Sequence, residues 1–197
     1  MSAMATAVLQ AQREPPVMVM DPPQWVISDT HLGHADILTY CPWRQTWARD
    51  LAEHDAASMS AWRLAVAPTD VVLHLGDVAL GPRDDLAGYR SRLPGRIVVV
   101  RGNHDRSRAA MREAGFDVVV SSLRIDSGGH AWVCRHDPAS FSVPEAAASV
   151  RLLHGHCHGN GVDPRVPVAV RDKAFDCSLD ALRSIGPVPW SQIAGLA

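Results

Sequence analysis

The stretch Gln24-Trp25-Val26-Ile27-Ser28-Asp29-Thr30-His31 decides how this chain reads: a short apolar run stops at a carboxylate, and an imidazole follows two positions later. The pattern returns twice. Asp70 to Leu75 ends at Gly76-Asp77, and Arg96 to Arg101 ends at Gly102-Asn103-His104-Asp105. Short β-branched or apolar runs bounded by turn residues read as strands buried on both faces. The segments between them read as helices. Trp47, Leu51, Met59, Trp62 and Val66 recur at spacings of one or two helical turns, and Pro68 closes that segment. Asp84 to Leu93 is a second helix, ended by Pro94-Gly95, and Arg106 to Ala114 a third, with Gly115 as its C-cap. Alternating strands and helices imply βαβ units and a mostly parallel sheet.

The second half changes character. Val118–Val120, Leu123–Asp126 and His130–Cys134 read as strands, the last two joined by Ser127-Gly128-Gly129, a hairpin signal. Val150–Leu153 leads into Gly155-His156-Cys157-His158. Val166 to Val170 and Ala174 to Cys177 are expected to form one more hairpin, turned at Arg171-Asp172-Lys173. The fold class is therefore α/β, with two packed sheets flanked by helices over residues 24–197. Residues 1–23, which carry Pro15-Pro16 and Pro22-Pro23, read as a flexible N-terminal leader.

Composition narrows the function. A chain of 197 residues fits one domain with a sizeable core. A formal charge of −2 argues against a protein that coats nucleic acid electrostatically, so no stable nucleic-acid complex is expected. Four scattered cysteines without CxxC spacing suit a reducing compartment. No apolar run approaches the roughly 20 residues of a membrane span, and the N-terminus lacks the basic start of a signal peptide. The expectation is a cytoplasmic protein with no membrane partner.

Ligands of open α/β sheets bind beyond the carboxyl ends of the strands. Asp29, Asp77 and Asn103 sit at such ends, and His31, His104, His136, His156 and His158 follow in short polar motifs. Oxygen and imidazole donors in that mixture suit Mn, Fe, Zn, Ni or Co, and a pair of such ions suits hydrolysis. The spacing in Asp29-Thr30-His31 can direct an oxygen and a nitrogen to one cation, and a carboxylate at Asp77 can bridge two. Gly76 permits an unusual backbone angle or a close approach there.

In this order the motifs resemble the pattern DxH, GD, GNH(D/E), H, GHxH of the calcineurin-like metallophosphoesterase superfamily. Ser28 to His34, Leu73 to Asp77, and the tail from Leu179-Asp180 through Pro187 to Ile193 are similar to a compact group found in bacteria and phages. The resemblance spans residues 24 to 193. It implies a four-layer αββα sandwich and two divalent transition metal ions, Mn foremost. Asp29, His31 and His158 would hold one ion, Asp77 would bridge, and Asn103, His136 and His156 would complete the second. His104 would contact substrate phosphate and protonate the leaving oxygen, with Asp105 the candidate to orient it. His136 lies in the context Val133-Cys134-Arg135-His136-Asp137-Pro138, unlike the Ser-His-x-Pro frequent in relatives. It is preferred to His130, which falls in a glycine-rich turn.

Residues around these motifs have two readings each. His34 either touches substrate phosphate or is a supporting or solvated histidine. Tyr40, Trp43, Arg44, Trp47 and Arg49 either stack a nucleobase and clamp phosphate, Arg44 foremost, or form an ordinary helix packed on the core. One of Arg101, Arg106 and Arg108 is expected to neutralise substrate charge. His74 and His154 read as core or supporting groups, His54 as a solvated helix residue. Cys157, by alternation, points away from the metals as a small core residue.

The resemblance implies a phosphodiesterase acting on a small phosphoester or nucleotide substrate, 2′,3′-cyclic nucleotides among them. Two cations about 3.5–4 Å apart would lower the pKa of a bridging water and bind phosphate oxygens. The resulting hydroxide would attack phosphorus in line. Competing readings are a phosphomonoesterase, a nuclease and, from another class, a non-catalytic binding scaffold. Against a protein phosphatase, Gly76-Asp77 is followed by Val78-Ala79-Leu80-Gly81 instead of Asp-Arg-Gly.

Overall fold

The computed structural model describes residues 18–81, 85–142 and 150–196. Two five-stranded mixed sheets pack face to face. The first contains β2 (Trp25–Ile27), β3 (Val71–His74), β4 (Arg96–Val100) and β5 (Val118–Val120), all parallel. β10 (Val188–Pro189) adds an antiparallel edge beside β2, giving the order β10-β2-β3-β4-β5. The second sheet has the order β1-β6-β7-β8-β9. Its strands are β1 (Met18–Met20), β6 (Leu123–Ser127), β7 (His130–Cys134), β8 (Val150–His154) and β9 (Ala174–Asp176).

Alternation along these strands builds two separate cores. Ile27, Val72, Ile97 and Val99 face Met59, Trp62 and Met111 from the helices that cover the first sheet, with Leu93 beside them. Those helices are α2 (Leu51–Ala65), α3 (Asp85–Ser91) and α4 (Arg108–Glu113). Val26, Leu73, Val98 and Val100 face the other way and meet Leu123, Ile125, Trp132 and Leu153 between the sheets. Beyond the second sheet a thinner layer packs Val166, Val170 and Phe141 on Leu152. The layers run helix, sheet, sheet, helix, as the sandwich reading requires.

Three expectations change. Met18–Met20 falls within the expected leader, yet it is a strand: it pairs in parallel with Leu123–Ile125 and packs its methionines on the inter-sheet core. Val168–Arg171 is a short helix, α5, and not a strand. Pro167 sits just before it, where its fixed φ suits a helix start, and Val170 alone provides the buried contact. The helical segment expected from Trp47 begins at Leu51. A 3-10 turn, Pro42–Thr46, follows α1 (Ile37–Tyr40), and Asp50 caps α2 by accepting from Glu53 N at 2.9 Å. Among the described residues no helix is long and apolar enough to cross a membrane.

Candidate metal centre

Every donor residue sits just past the carboxyl end of a strand. Asp29 follows β2, Asp77 β3, Asn103 β4, His136 β7, and His156 and His158 β8. The loops after β2 and β3 run side by side, with Asp29 N donating to Gly76 O at 2.9 Å and His31 N to Asp77 O at 3.0 Å. Close approach depends on missing side chains. A Cβ at Gly155 would collide with Ser28 Oγ and Asp29 Oδ2, and one at Gly102 with Asp77 Oδ1.

The backbone itself is strained here. Six non-glycine residues have left-handed φ among the described residues, and five of them are Asp29, His31, Asp77, His156 and His158. Such a conformation costs roughly 1–2 kcal/mol per residue and persists only where the surroundings impose it. Strain concentrated on candidate donors marks this as the site the fold is built around.

Two donor clusters result. Asp29, His31 and His158 bring one ligand atom each to within 4.8 Å of one another, and so do Asp77, His136 and His156. Asp77 Oδ2 lies between them, 3.7 Å from His31 Nε2 and 3.2 Å from His136 Nε2. Asn103 Oδ1 lies 3.0 Å from both His136 Nε2 and His156 Nδ1. His130, at the start of β7, is absent from both clusters.

These residues fit divalent cations. His31 is buried, and neither ring nitrogen has a hydrogen-bond partner. Its Nε2 stands 3.8 Å from Asp29 Oδ1, beyond hydrogen-bond reach but suited to sharing an ion. His136 donates from Nδ1 to Leu75 O at 2.8 Å, which turns Nε2 toward the two oxygens of Asp77 and Asn103. Two acceptors facing one nitrogen require a proton or a metal between them.

The electrostatics agree. Burial opposes charge on His136, yet Asp77 and Asp29 outweigh it and push its pKa up to about 9. His158 behaves alike: burial disfavours the imidazolium, but Asp180, Cys41 and Asp29 push it up to about 10. Burial works against ionised Asp29 too, while His31, His136 and His158 hold its carboxyl well below the usual range. His31 shifts down because burial dominates.

Behind the first cluster stands a buried polar chain. His158 Nδ1 meets Asp180 Oδ2 at 2.7 Å, and Arg44 grips both Asp180 oxygens from Nε and Nη2 at 3.1 and 2.7 Å. Arg44 also donates to the carbonyls of Asp29 and Thr30 at 2.6 and 3.1 Å, and meets His54 Nε2 at 3.0 Å. His54 continues to Asp55, whose other oxygen accepts from Gly33 N and Tyr89 Oη. Arg44 is wholly buried, so the expected substrate clamp is corrected: its guanidinium neutralises Asp180 and braces the Asp29 loop. His54, expected in solvent, is a buried member of the same chain.

Asp105 is corrected as well. Its carboxylate accepts from Asp77 N, Val78 N and Gly102 N at 2.8–2.9 Å, so it ties two loops together instead of orienting His104. Burial raises its pKa, and the three N–H donors oppose the shift. His104 is exposed, held through its own N–H to Asp77 Oδ1 at 2.9 Å, with its ring 5.5 Å from that of His31. His34 lies 6.5 Å from the His104 ring, with Nδ1 buried and unpartnered. His74 is a fully buried support: it contacts Thr30 Oγ1 at 2.9 Å and accepts from Gly76 N, and burial pushes its pKa down to about 3.

An open cleft of about 540 Å³ lies over the donors, lined by His34, Tyr40, His104, His156 and His158 among others. That volume admits a nucleotide-sized molecule. Among the described residues no arginine lines it. Arg101 and Arg106 are bonded to main-chain carbonyls, and Arg108 to Ser121. Tyr40 is 70% exposed at the rim, while Arg49 pairs with Glu53 on the surface.

Comparison with known proteins follows the same lines. The gene 66 protein of Mycobacterium phage L5 is 32% identical over 162 residues, spanning 68% of this chain and 76% of its own. An uncharacterized protein of Methanocaldococcus jannaschii is 26% identical over 160 residues, spanning 80% of this chain and 82% of its own. A crystal structure of a protein of unknown function from Aquifex aeolicus shares the fold, with a TM-score of 0.65 and 22% identity over 91% of this chain and 100% of that one. Residues 22–176 match the calcineurin-like phosphoesterases, and the chain belongs to that family of metal-dependent phosphoester hydrolases.

Proposed function

We propose that the chain is a dinuclear phosphodiesterase acting on small or nucleotide-type phosphoesters, with Mn²⁺ as the preferred ion and the cytoplasm as its compartment. The observation that carries this reading is Asp77 Oδ2, faced by His31 from one donor cluster and His136 from the other. Asp29, His31 and His158 would hold one ion, and Asn103, His136 and His156 the second, with Asp77 between them. When bound, the pair supplies Lewis acidity for generating the nucleophile and charge for clamping phosphate oxygens.

The chain's own groups do the rest. Asn103 turns its Oδ1 to the histidines, and its amide N–H₂ donates to a phosphate oxygen. His34 meets the phosphate from the far side of His104. His104, fixed through its main chain to Asp77 Oδ1, hands a proton to the departing oxygen. Tyr40 at the rim offers a face on which a base stacks.

The test is a panel with Mn²⁺: bis- and mono-nitrophenyl phosphate, 2′,3′- and 3′,5′-cyclic nucleotides, and single-stranded DNA. Turnover of the bis-ester and at least one cyclic nucleotide is expected, with the monoester slower and DNA untouched. Turnover confined to the monoester would overturn the diesterase reading. His104→Ala should lose roughly 10²–10⁴-fold on alkyl leaving groups and much less on nitrophenolate. Equal loss on both would remove the proton-donor role.

A further inference from the structure

Alternation along the Gly155–Gly159 turn sends neighbouring side chains to opposite sides. His156 and His158 line the cleft, whereas Cys157 lines a separate cavity of about 420 Å³ together with His154 and Asp176. His154 ends β8 and Asp176 ends β9, and the two are direct partners in the parallel ladder. A ring nitrogen of His154, Cys157 Sγ and a carboxylate oxygen of Asp176 all lie within 4.8 Å of one another.

His154 is the decisive member. It is completely buried, and its Nδ1 lies 2.6 Å from Gly155 O, a contact only an N–H can make. Nε2 therefore carries a bare lone pair, and it has no hydrogen-bond partner. A carbonyl-oriented imidazole with its other nitrogen free is the arrangement of a metal-ligating histidine. Asp176 is fixed in turn, its two oxygens accepting from Ser178 N and Gly159 N at 2.8 and 2.9 Å.

We propose that His154, Cys157 and Asp176 form a further cation site, separate from the phosphoesterase centre, that takes a thiolate-accepting divalent ion of the zinc class. Imidazole, thiolate and carboxylate are the donors such an ion accepts, and three of them leave a fourth position open to the cavity. Tetrahedral bonds of about 2.0–2.3 Å would draw the three atoms inward by roughly 1 Å, within reach of side-chain rotation. Thiolate and carboxylate together balance a divalent charge, so Arg171 in the same cavity meets no net cation. The ion would brace, from behind, the turn that carries His156 and His158.

Metal-free protein titrated with Co²⁺ tests this. A thiolate-to-cobalt charge-transfer band is expected in the near ultraviolet, with the final intensity of one thiolate-bound ion per chain in addition to the two ions of the main centre. It should persist in Cys41→Ser, whose thiol lies 3.2 Å from His158 Nδ1 near the main centre, and vanish in Cys157→Ser. A band that survives Cys157→Ser, or is missing from folded wild-type protein, overturns the site. An assay independent of any variant is alkylation of wild-type protein, read by mass spectrometry. Zn²⁺ should protect Cys157 from iodoacetamide, and equal labelling with and without Zn²⁺ overturns the proposal.

Discussion

The two donor clusters are held in different ways. Behind Asp29, His31 and His158 runs a buried chain of side chains: Asp180, Arg44, His54, Asp55 and Tyr89. Behind Asp77, His136 and Asn103 the direct supports are main-chain groups, Leu75 O on His136 and His104 N on Asp77, with a single side chain, the Asp105 carboxylate, accepting from three N–H groups. The first cluster is also the drier, since His156 and Asn103 of the second are exposed. A chain of buried charges works only when complete, because removing one member strands its partner in the interior. Main-chain supports survive side-chain substitution and fail locally. The first half-site should therefore be the more preorganised and the more fragile to mutation.

The largest expected contrast is in stability. Arg44→Met removes the guanidinium that grips both Asp180 oxygens, leaves that buried carboxylate with His158 as its remaining partner, and should cost about 3–5 kcal/mol. Asn103→Ala, at an exposed position of the second half, should lie within about 0.5 kcal/mol of wild type. Denaturant melts of the metal-free proteins measure both. Similar losses would erase the distinction between side-chain and main-chain support.

Next comes metal affinity. Asp180→Asn keeps the shape but weakens the acceptor that orients His158, and should lower binding at the first half-site by roughly 10–100-fold. Calorimetric titration with Mn²⁺ should show one weakened step and one unchanged step. Two equally weakened steps would mean that the halves are not separately supported.

The smallest effect is in proton release. In metal-free protein at neutral pH, His158 and His136 hold protons that an ion must expel, because their pKa values rise to about 10 and about 9. Binding should release about one proton per half-site near pH 7. Apparent affinity should climb with pH until His136, and then His158, titrates. Calorimetry in buffers of different ionisation enthalpy counts the protons. A pH-independent affinity would contradict the protonation of both histidines.

Much of this architecture was legible in order along the chain. Apolar runs stopping at Asp29, Asp77 and Asn103 read correctly as parallel strands, because burial on both faces leaves a continuous β-branched signature. Met18–Met20 did not, since three residues behind a proline-rich tract carry no periodicity, and their pairing with Leu123–Ile125 is a tertiary choice. Val166–Val170 reads as a strand of a hairpin, yet Val168–Arg171 is helical, because periodicity cannot separate helix from strand in so short an apolar run.

Arg44 reads as a phosphate clamp among aromatics because its partner Asp180 is 136 residues away. Asp105, next to His104, invited a catalytic role that its three main-chain donors deny. The left-handed backbone at five donors has no single-residue signal, although Asp and His tolerate it better than most residues. The strand ends at which the candidate donors sit were readable from local sequence. The charges that brace them were not, because they join segments far apart.

The most direct test of the central claim is electron paramagnetic resonance of protein loaded with Mn²⁺, with and without Asp77→Ala. If Asp77 lies between two ions, wild-type protein should give the multiline spectrum of an exchange-coupled pair, and Asp77→Ala only uncoupled Mn²⁺ or none. A wild-type spectrum of isolated Mn²⁺ at saturating metal would contradict a dinuclear centre.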